Sequence, residues 1–256
     1  MVFLSINGMK LKSGYDEFNA KNIVPIYPSG EEKLDLLLKG GFRQDLLYLV
    51  YGDLKIITDI LLRLSVASFK KYGFKEKVVF IDGNNRFNPY RVSSLAATWG
   101  LSPKKVLDHI FISRAFTYEQ MIETLENNLN ELENSEKIRI VLVSGITTLW
   151  PDYEKKTFEE LLKAIAGIKR TISKSNPLII LTAPLHENSR TKPVGGTALT
   201  HFGSVLILIE DKERYIEYKL IQHPSLPENR LIKRTPLKPK RGLKISPKNR
   251  TLDKWV

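Results

Sequence analysis

Short, wholly apolar runs alternate with longer segments of helical period through most of the chain. Residues 45–52 (DLLYLVYG) form an apolar run stopped by Gly52. Ile56, Ile57, Ile60, Leu61 and Leu64 then recur at helical spacing and predict a helix. Further strands are predicted over residues 77–83, 109–115, 138–145 and 178–183, and helices over 91–99, 118–132 and 158–173. Pro89 can open the first of these three helices and Gly100 ends it. Residues 204–210 and 215–222 flank a polar turn and read as a closing antiparallel pair. Strands that are apolar on both faces and alternate with helices predict an α/β fold. Its mostly parallel central sheet is flanked by helices on both sides. Residues 1–22 show no sustained period and read as an irregular lead-in to a core over 23–231. Beyond Leu231, Pro236, Pro239 and Pro247 break any helix, so 232–256 is expected to be an extended, flexible tail.

Charge sharpens that division. The 256 residues carry a formal net charge of +12, yet residues 229–256 alone hold ten Lys or Arg against one acid, Asp253. The body is close to neutral, and the basic tail suits contact with nucleic acid or another polyanion; a solubilising terminus is the plainer alternative. The absence of cysteine excludes disulfides, a thiolate nucleophile and a Cys-based zinc site, and fits an intracellular protein. No apolar run approaches the ~18 residues of a membrane span, and the N-terminus lacks a secretory signal. No cofactor or metal is expected, because His109, His186 and His223 show no ligand spacing.

The segment FIDGNNRFNPYRVSSLAATWGLSPKKVLDHIFISRAF (80–116) resembles the core of the archaeal RadA recombinases and their paralogs, in the RecA superfamily. Asp82, Phe87, Pro89, Arg91, Gly100, Leu101, Pro103 and the Arg114–Ala115–Phe116 triplet keep the family's order. Residues 28–42, 192–205 and 223–228 resemble further blocks of the same core. The resemblance covers about 23–232 and implies a RecA-like core. The family's N-terminal helix-hairpin-helix domain has no counterpart here. Phe18 resembles the Phe of the linker motif through which that family assembles, but Lys21 stands where the motif needs alanine, so filaments are not expected.

Such ATPases wrap phosphates in a glycine-rich loop ending in Lys-Ser/Thr, hold Mg²⁺ with an Asp and orient water with a Glu. Here the loop position reads YGDLKIITDIL. Gly52 remains, but Ile56 and Ile57 fill positions where the backbone must be open, and β-branched residues resist such conformations. Asp53 is placed to cap the following helix and, as an anion, to repel a triphosphate. Lys55 is either a displaced phosphate ligand or a solvated helix lysine. Ser144 replaces the Mg²⁺-associated Asp, and Asn84 replaces the water-orienting Glu, which an amide cannot match as a proton acceptor. The three departures together predict a pseudo-ATPase.

Two loops face DNA in the related filaments. The first would lie near 147–156, where Trp150 and Tyr153 can stack on bases and Lys155 and Lys156 can reach phosphate, or Trp150 can pack beneath the loop. The second, 184–196, is short and carries Arg190 and Lys192. In the tail, Lys238, Lys240, Arg241 and Lys244 are candidate DNA contacts. The chain ends NRTLDKWV, similar to the PCNA-interacting peptide, with Asn249 for its Gln and Leu252, Trp255 and Val256 as apolar anchors on one turn. Docking of Trp255 on its own domain, or a chance match, are the alternatives.

The expected function is a non-catalytic accessory factor in DNA replication, recombination or repair, associated with the nucleoid and tethered to the sliding clamp PCNA. DNA, a RadA recombinase or a polymerase are its further partners. The alternatives are an ATPase with a rebuilt phosphate loop, and a pure interaction subunit without DNA contact.

Overall fold

The computed structural model describes residues 4–6, 9–11, 24–150, 155–189 and 191–234. Eight strands form one large sheet. They are β5 (Leu47–Gly52), β6 (Lys77–Asp82), β7 (Ile110–Arg114), β8 (Ile138–Ser144), β9 (Leu178–Pro184), β10 (Val205–Asp211), β11 (Tyr215–Gln222) and β12 (Asn229–Arg234). Their order across the sheet is β12-β11-β10-β5-β9-β8-β6-β7. Every pairing from β10 through β7 is parallel. β11 and β12 continue the sheet antiparallel.

Alternation along the strands divides the core between two layers. In β6, Val78 and Phe80 face α2 (Leu54–Tyr72), α3 (Pro89–Thr98) and α4 (Pro103–Leu107). Val79 and Ile81 face the opposite layer. That layer holds α5 (Tyr118–Glu123), a π-helical turn (Thr124–Asn128), α6 (Leu129–Ser135), α7 (Lys155–Ser175) and α8 (Gly196–Phe202). Because both faces are covered, β8 is buried at every position, and its sequence is apolar apart from Arg139 and the terminal Ser144. The chain therefore has the RecA-like α/β architecture that its sequence pattern predicts.

The differences from the sequence expectation have local causes. The lead-in contains a small antiparallel hairpin, β1 (Leu4–Ile6) with β2 (Met9–Leu11), too short to show a period. β3 (Ile26–Tyr27), β4 (Phe42–Arg43) and α1 (Glu32–Leu37) are equally short and carry no periodic signal. The helix expected over 118–132 runs on to Ser135 through the π-helical turn. Gly167 lies directly against that turn: a Cβ there would stand 2.1 Å from the Leu125 carbonyl oxygen. The helix expected over 158–173 is longer at both ends. Regular structure also continues past Leu231, since β12 runs to Arg234. Leu231 packs on the core while Ile232 and Arg234 are exposed, so this edge strand reads as polar and breaks the apolar pattern used to place the boundary. Lys233 anchors it through a 2.6 Å bond to the buried Glu31 carboxylate.

Gly167→Ala should therefore push α7 away from the π-helical turn. Overpacking of this kind costs about 1–3 kcal/mol, which a lowered urea midpoint at unchanged slope would report.

Candidate functional site

The parallel strands all end at one edge of the sheet, where open α/β sheets place their ligand crevice. Gly52 closes β5 with φ +121°, and a Cβ there would lie 2.0 Å from the Ile209 carbonyl oxygen of β10. The Asp53 N–H donates to that same oxygen at 2.9 Å. The chain then enters α2 at Leu54 without an intervening loop. The Asp53 carboxylate accepts from the Lys55 N–H at 2.9 Å and the Ile56 N–H at 3.0 Å. The Asp53 carbonyl takes the Ile57 N–H at 3.0 Å. The Lys55, Ile56 and Ile57 N–H groups at this helix start are thus occupied internally, with a carboxylate where a phosphate would sit. Ile57 is buried and Ile56 packs against the same core, so neither leaves backbone open. The Lys55 side chain is exposed.

Asn84 and Ser144 come together at the ends of β6 and β8. The Asn84 Nδ2 donates to Ser144 Oγ at 3.1 Å. Ser144 is fully buried. Asn84 Oδ1 is buried without a hydrogen-bond partner and lies against Gly145, whose φ is +75°. The neighbouring Asp82 is fully buried and accepts from the backbone N–H groups of Arg86 at 3.1 Å and Phe87 at 2.8 Å. Its carboxylate is committed to folding the loop into α3. Asp82 belongs to the family pattern in the sequence, but nothing in its local spacing signals this role.

Beside α2 opens a cleft of about 490 Å³, bordered by Lys55, Arg63, Arg86, Arg91, Tyr218 and Lys233. Asp59 stands in its wall. Its carboxylate takes bonds from Arg63 Nε at 2.7 Å and from Arg91 Nε and an Arg91 terminal nitrogen at 2.7 and 3.2 Å. Burial alone would raise the Asp59 carboxyl, but the two guanidinium groups outweigh it and hold it below the usual range. Asp59 and Arg63 do not stand out in the sequence. Their i,i+4 Asp–Arg spacing is the available signal, but such pairs are common on exposed helices.

The DNA-facing candidates separate. Trp150 is half-buried, packs on the second core layer and meets the Tyr118 ring at 6.0 Å between centroids. Lys155 and Lys156 open α7. Within 184–196, residues on either side of Arg190 are joined by the antiparallel Leu185–Pro193 bridge. The Tyr51 hydroxyl donates to the Thr191 carbonyl at 2.9 Å, and Thr147 Oγ1 to the Val194 carbonyl at 3.0 Å. Burial pushes the Tyr51 phenol up to about 12, so it keeps the proton this bond needs. Lys192 is exposed. His201, which the sequence suggests is a satisfied residue near the sheet, is exposed on the short α8. Tyr153, Arg190, Lys238, Lys240, Arg241, Lys244, Asn249, Leu252, Trp255 and Val256 lie outside the described residues.

Residues 19–235, which include every strand of the large sheet, match the Rad51 family. The chain belongs to the Rad51 family. Among its relatives in this family is a meiotic recombination protein DMC1 homolog of Lilium longiflorum. The two are 25% identical over 231 residues, covering 83% of this chain and 66% of that protein. Meiotic recombination protein DLH1 of Candida albicans is 26% identical over 227 residues, 80% of this chain and 69% of the relative. DNA repair protein rhp51 of Schizosaccharomyces pombe is 24% identical over 225 residues, 80% and 61% respectively. The chain spans about two thirds of the length of these curated relatives.

The Arg63–Asp59–Arg91 tie gives a pH-dependent prediction. Because the Asp59 pKa is lowered on folding, its contribution is complete above the unfolded carboxyl pKa of ~3.9 and is lost as pH falls through the lower folded value. Asp59→Asn should thus reduce the urea midpoint at neutral pH, and the gap from wild type should close below about pH 3.9. A gap that persists unchanged in acid would show that the charge is not its source.

Proposed function

We propose that this Rad51-family protein is a RadA-paralog-like accessory factor of recombination or repair that works at DNA without hydrolysing ATP, held at the sliding clamp by its C-terminus. The observation that carries the non-catalytic part is the start of α2: the helix follows β5 directly and the Asp53 carboxylate occupies the Lys55 and Ile56 N–H groups. A triphosphate bound there would have to displace that carboxylate and overcome its charge. The Asn84–Ser144 pair supports the same reading, because the two neutral residues at the positions of the family's Glu and Asp bond to each other, Asn84 Nδ2 donating to Ser144 Oγ. Neutral side chains offer Mg²⁺ no charge compensation.

The clamp tether rests on the last residues. Leu252, Trp255 and Val256 have the three- and four-residue spacing that a helical turn formed on binding would bring to one face, and a Trp seated in an apolar pocket is an effective anchor. Tethering through such a peptide raises the local concentration of the core at DNA without new core contacts. The cations of the tail add sequence-independent attraction to phosphate.

The alternative of a rebuilt ATPase is favoured by one feature, the cations around the cleft beside α2. Titration of the full chain with radiolabelled ATP and magnesium separates the two. No saturable binding and no turnover are expected, whereas turnover sensitive to Lys55→Ala would establish the enzyme. For the tether, calorimetry of the full chain against PCNA should give heat that Trp255→Ala abolishes. Equal heats from both chains would remove the anchor.

A further inference from the structure

A second concentration of positive charge lies within the core, at the sheet edge opposite the strand ends described above. It gathers where β6, β7 and β8 begin. Lys77 opens β6, and its N–H donates to the Lys137 carbonyl at 2.8 Å, which brings the segment before β8 alongside. The Val78 N–H donates to the His109 carbonyl at 3.0 Å, placing the segment before β7 on the other side. His109 Nδ1 lies 2.8 Å from the Lys105 carbonyl, joining the end of α4 to the same edge. Phe74 completes the group: it stacks on Phe69 at 5.0 Å, meets His109 at 5.1 Å and carries the Lys105 ammonium 4.6 Å above its ring.

Four lysines from four separate segments are exposed around this centre: Lys70 at the end of α2, Lys75 before β6, Lys104 in α4 and Lys137 before β8. None of them pairs with an acid among the described residues. The acids of the edge do not neutralise it. Glu76 is held by the buried Arg139 at 2.7 Å, leaving Asp108 and Glu136 against the lysines. Cations at the ends of α2 and α4 are partly explained by helix dipoles, which favour positive charge there. That account does not reach Lys75 or Lys137, which lie outside any helix.

We propose that this edge binds the phosphate backbone of duplex DNA, as a contact separate from the C-terminal tail and from the loops at the opposite edge. The inference rests on reading the chain as a DNA-associated protein and adds the surface. Charge complementarity favours a polyanionic rod over an acidic peptide. Lysine ammonium groups spread over four segments match phosphates without sequence readout. A peptide would need an apolar anchor pocket, and the aromatic ring at the centre of this edge is already covered by Lys105 and stacked on Phe69. The Lys105–Phe74 contact also fixes one ammonium in place before any ligand arrives.

The test compares the full chain with its Lys70→Gln/Lys75→Gln/Lys104→Gln/Lys137→Gln variant, measuring affinity for a random-sequence DNA duplex across salt concentrations. Each phosphate that is no longer neutralised lowers the slope of log K against log salt by about 0.9, so the slope should fall by roughly 3 to 4. Neutralising Lys238, Lys240, Arg241 and Lys244 in the tail should lower the slope separately, and the two effects should add. In the wild-type chain, duplex should protect the same four core lysines from acetylation, a readout that needs no variant. An unchanged slope together with unprotected lysines overturns the assignment. So does a variant that keeps its DNA affinity but loses binding to poly-glutamate or to phosphatidylserine vesicles. A wild-type chain that binds no duplex at all would instead sink the DNA-associated reading on which this surface depends.

Discussion

The contact on which the upper edge of the sheet depends is the approach of Gly52 to the Ile209 carbonyl. It brings the ends of β5 and β10 so close that only a residue without a side chain fits. The Asp53 N–H then bonds to that carbonyl, and the helix begins at the next residue, Leu54. The same geometry aims the Asp53 carboxylate at the helix it precedes. One close contact therefore shortens the junction, fixes the cap and places a negative charge at the helix start. Packing against the Ile209 carbonyl alone requires a glycine at position 52.

Polar groups at this edge satisfy one another. Asn84 donates to Ser144, Asp82 gathers the N–H groups of the following loop, and Asp59 is shared by Arg63 and Arg91. The Thr191 and Val194 carbonyls accept from the Tyr51 and Thr147 hydroxyls. Buried polar atoms need such partners, because an unpaired donor or acceptor costs about 1–3 kcal/mol. A site that binds a ligand normally leaves some of these groups to be completed by it. Here Asn84 Oδ1 is the exception, buried and unpaired against Gly145.

Charge is distributed as three separate features: the basic tail, the cations of the cleft beside α2, and the lysines where β6, β7 and β8 begin. They differ physically. In the cleft, Arg63 and Arg91 are bound to Asp59 and Lys233 to Glu31, so part of the positive charge is neutralised internally. At the opposite edge the four exposed lysines carry no such partners among the described residues. Total charge is therefore a poor guide to where an anion would settle on this protein.

The large sheet was legible in the sequence because its strands are buried on both faces, and continuous apolar runs separated by amphipathic helices admit few other arrangements. The short elements, α1, β3 and β4, were not legible, since two to six residues give too few repeats for a period. Nor was β12, an edge strand in which Arg230, Lys233 and Arg234 break the apolar alternation. At the candidate site, the Asp53 cap could be read directly, because Asp before a helix has one well-defined partner set. The sequence by itself determined the layered fold and this cap, both of which depend on residue type and local spacing. Only the tertiary structure decided that Gly52 meets Ile209, that Asp59 ties Arg63 to Arg91, and that lysines from four segments share one edge. Those pairings join residues distant in the chain, and sheet order alone brings them together.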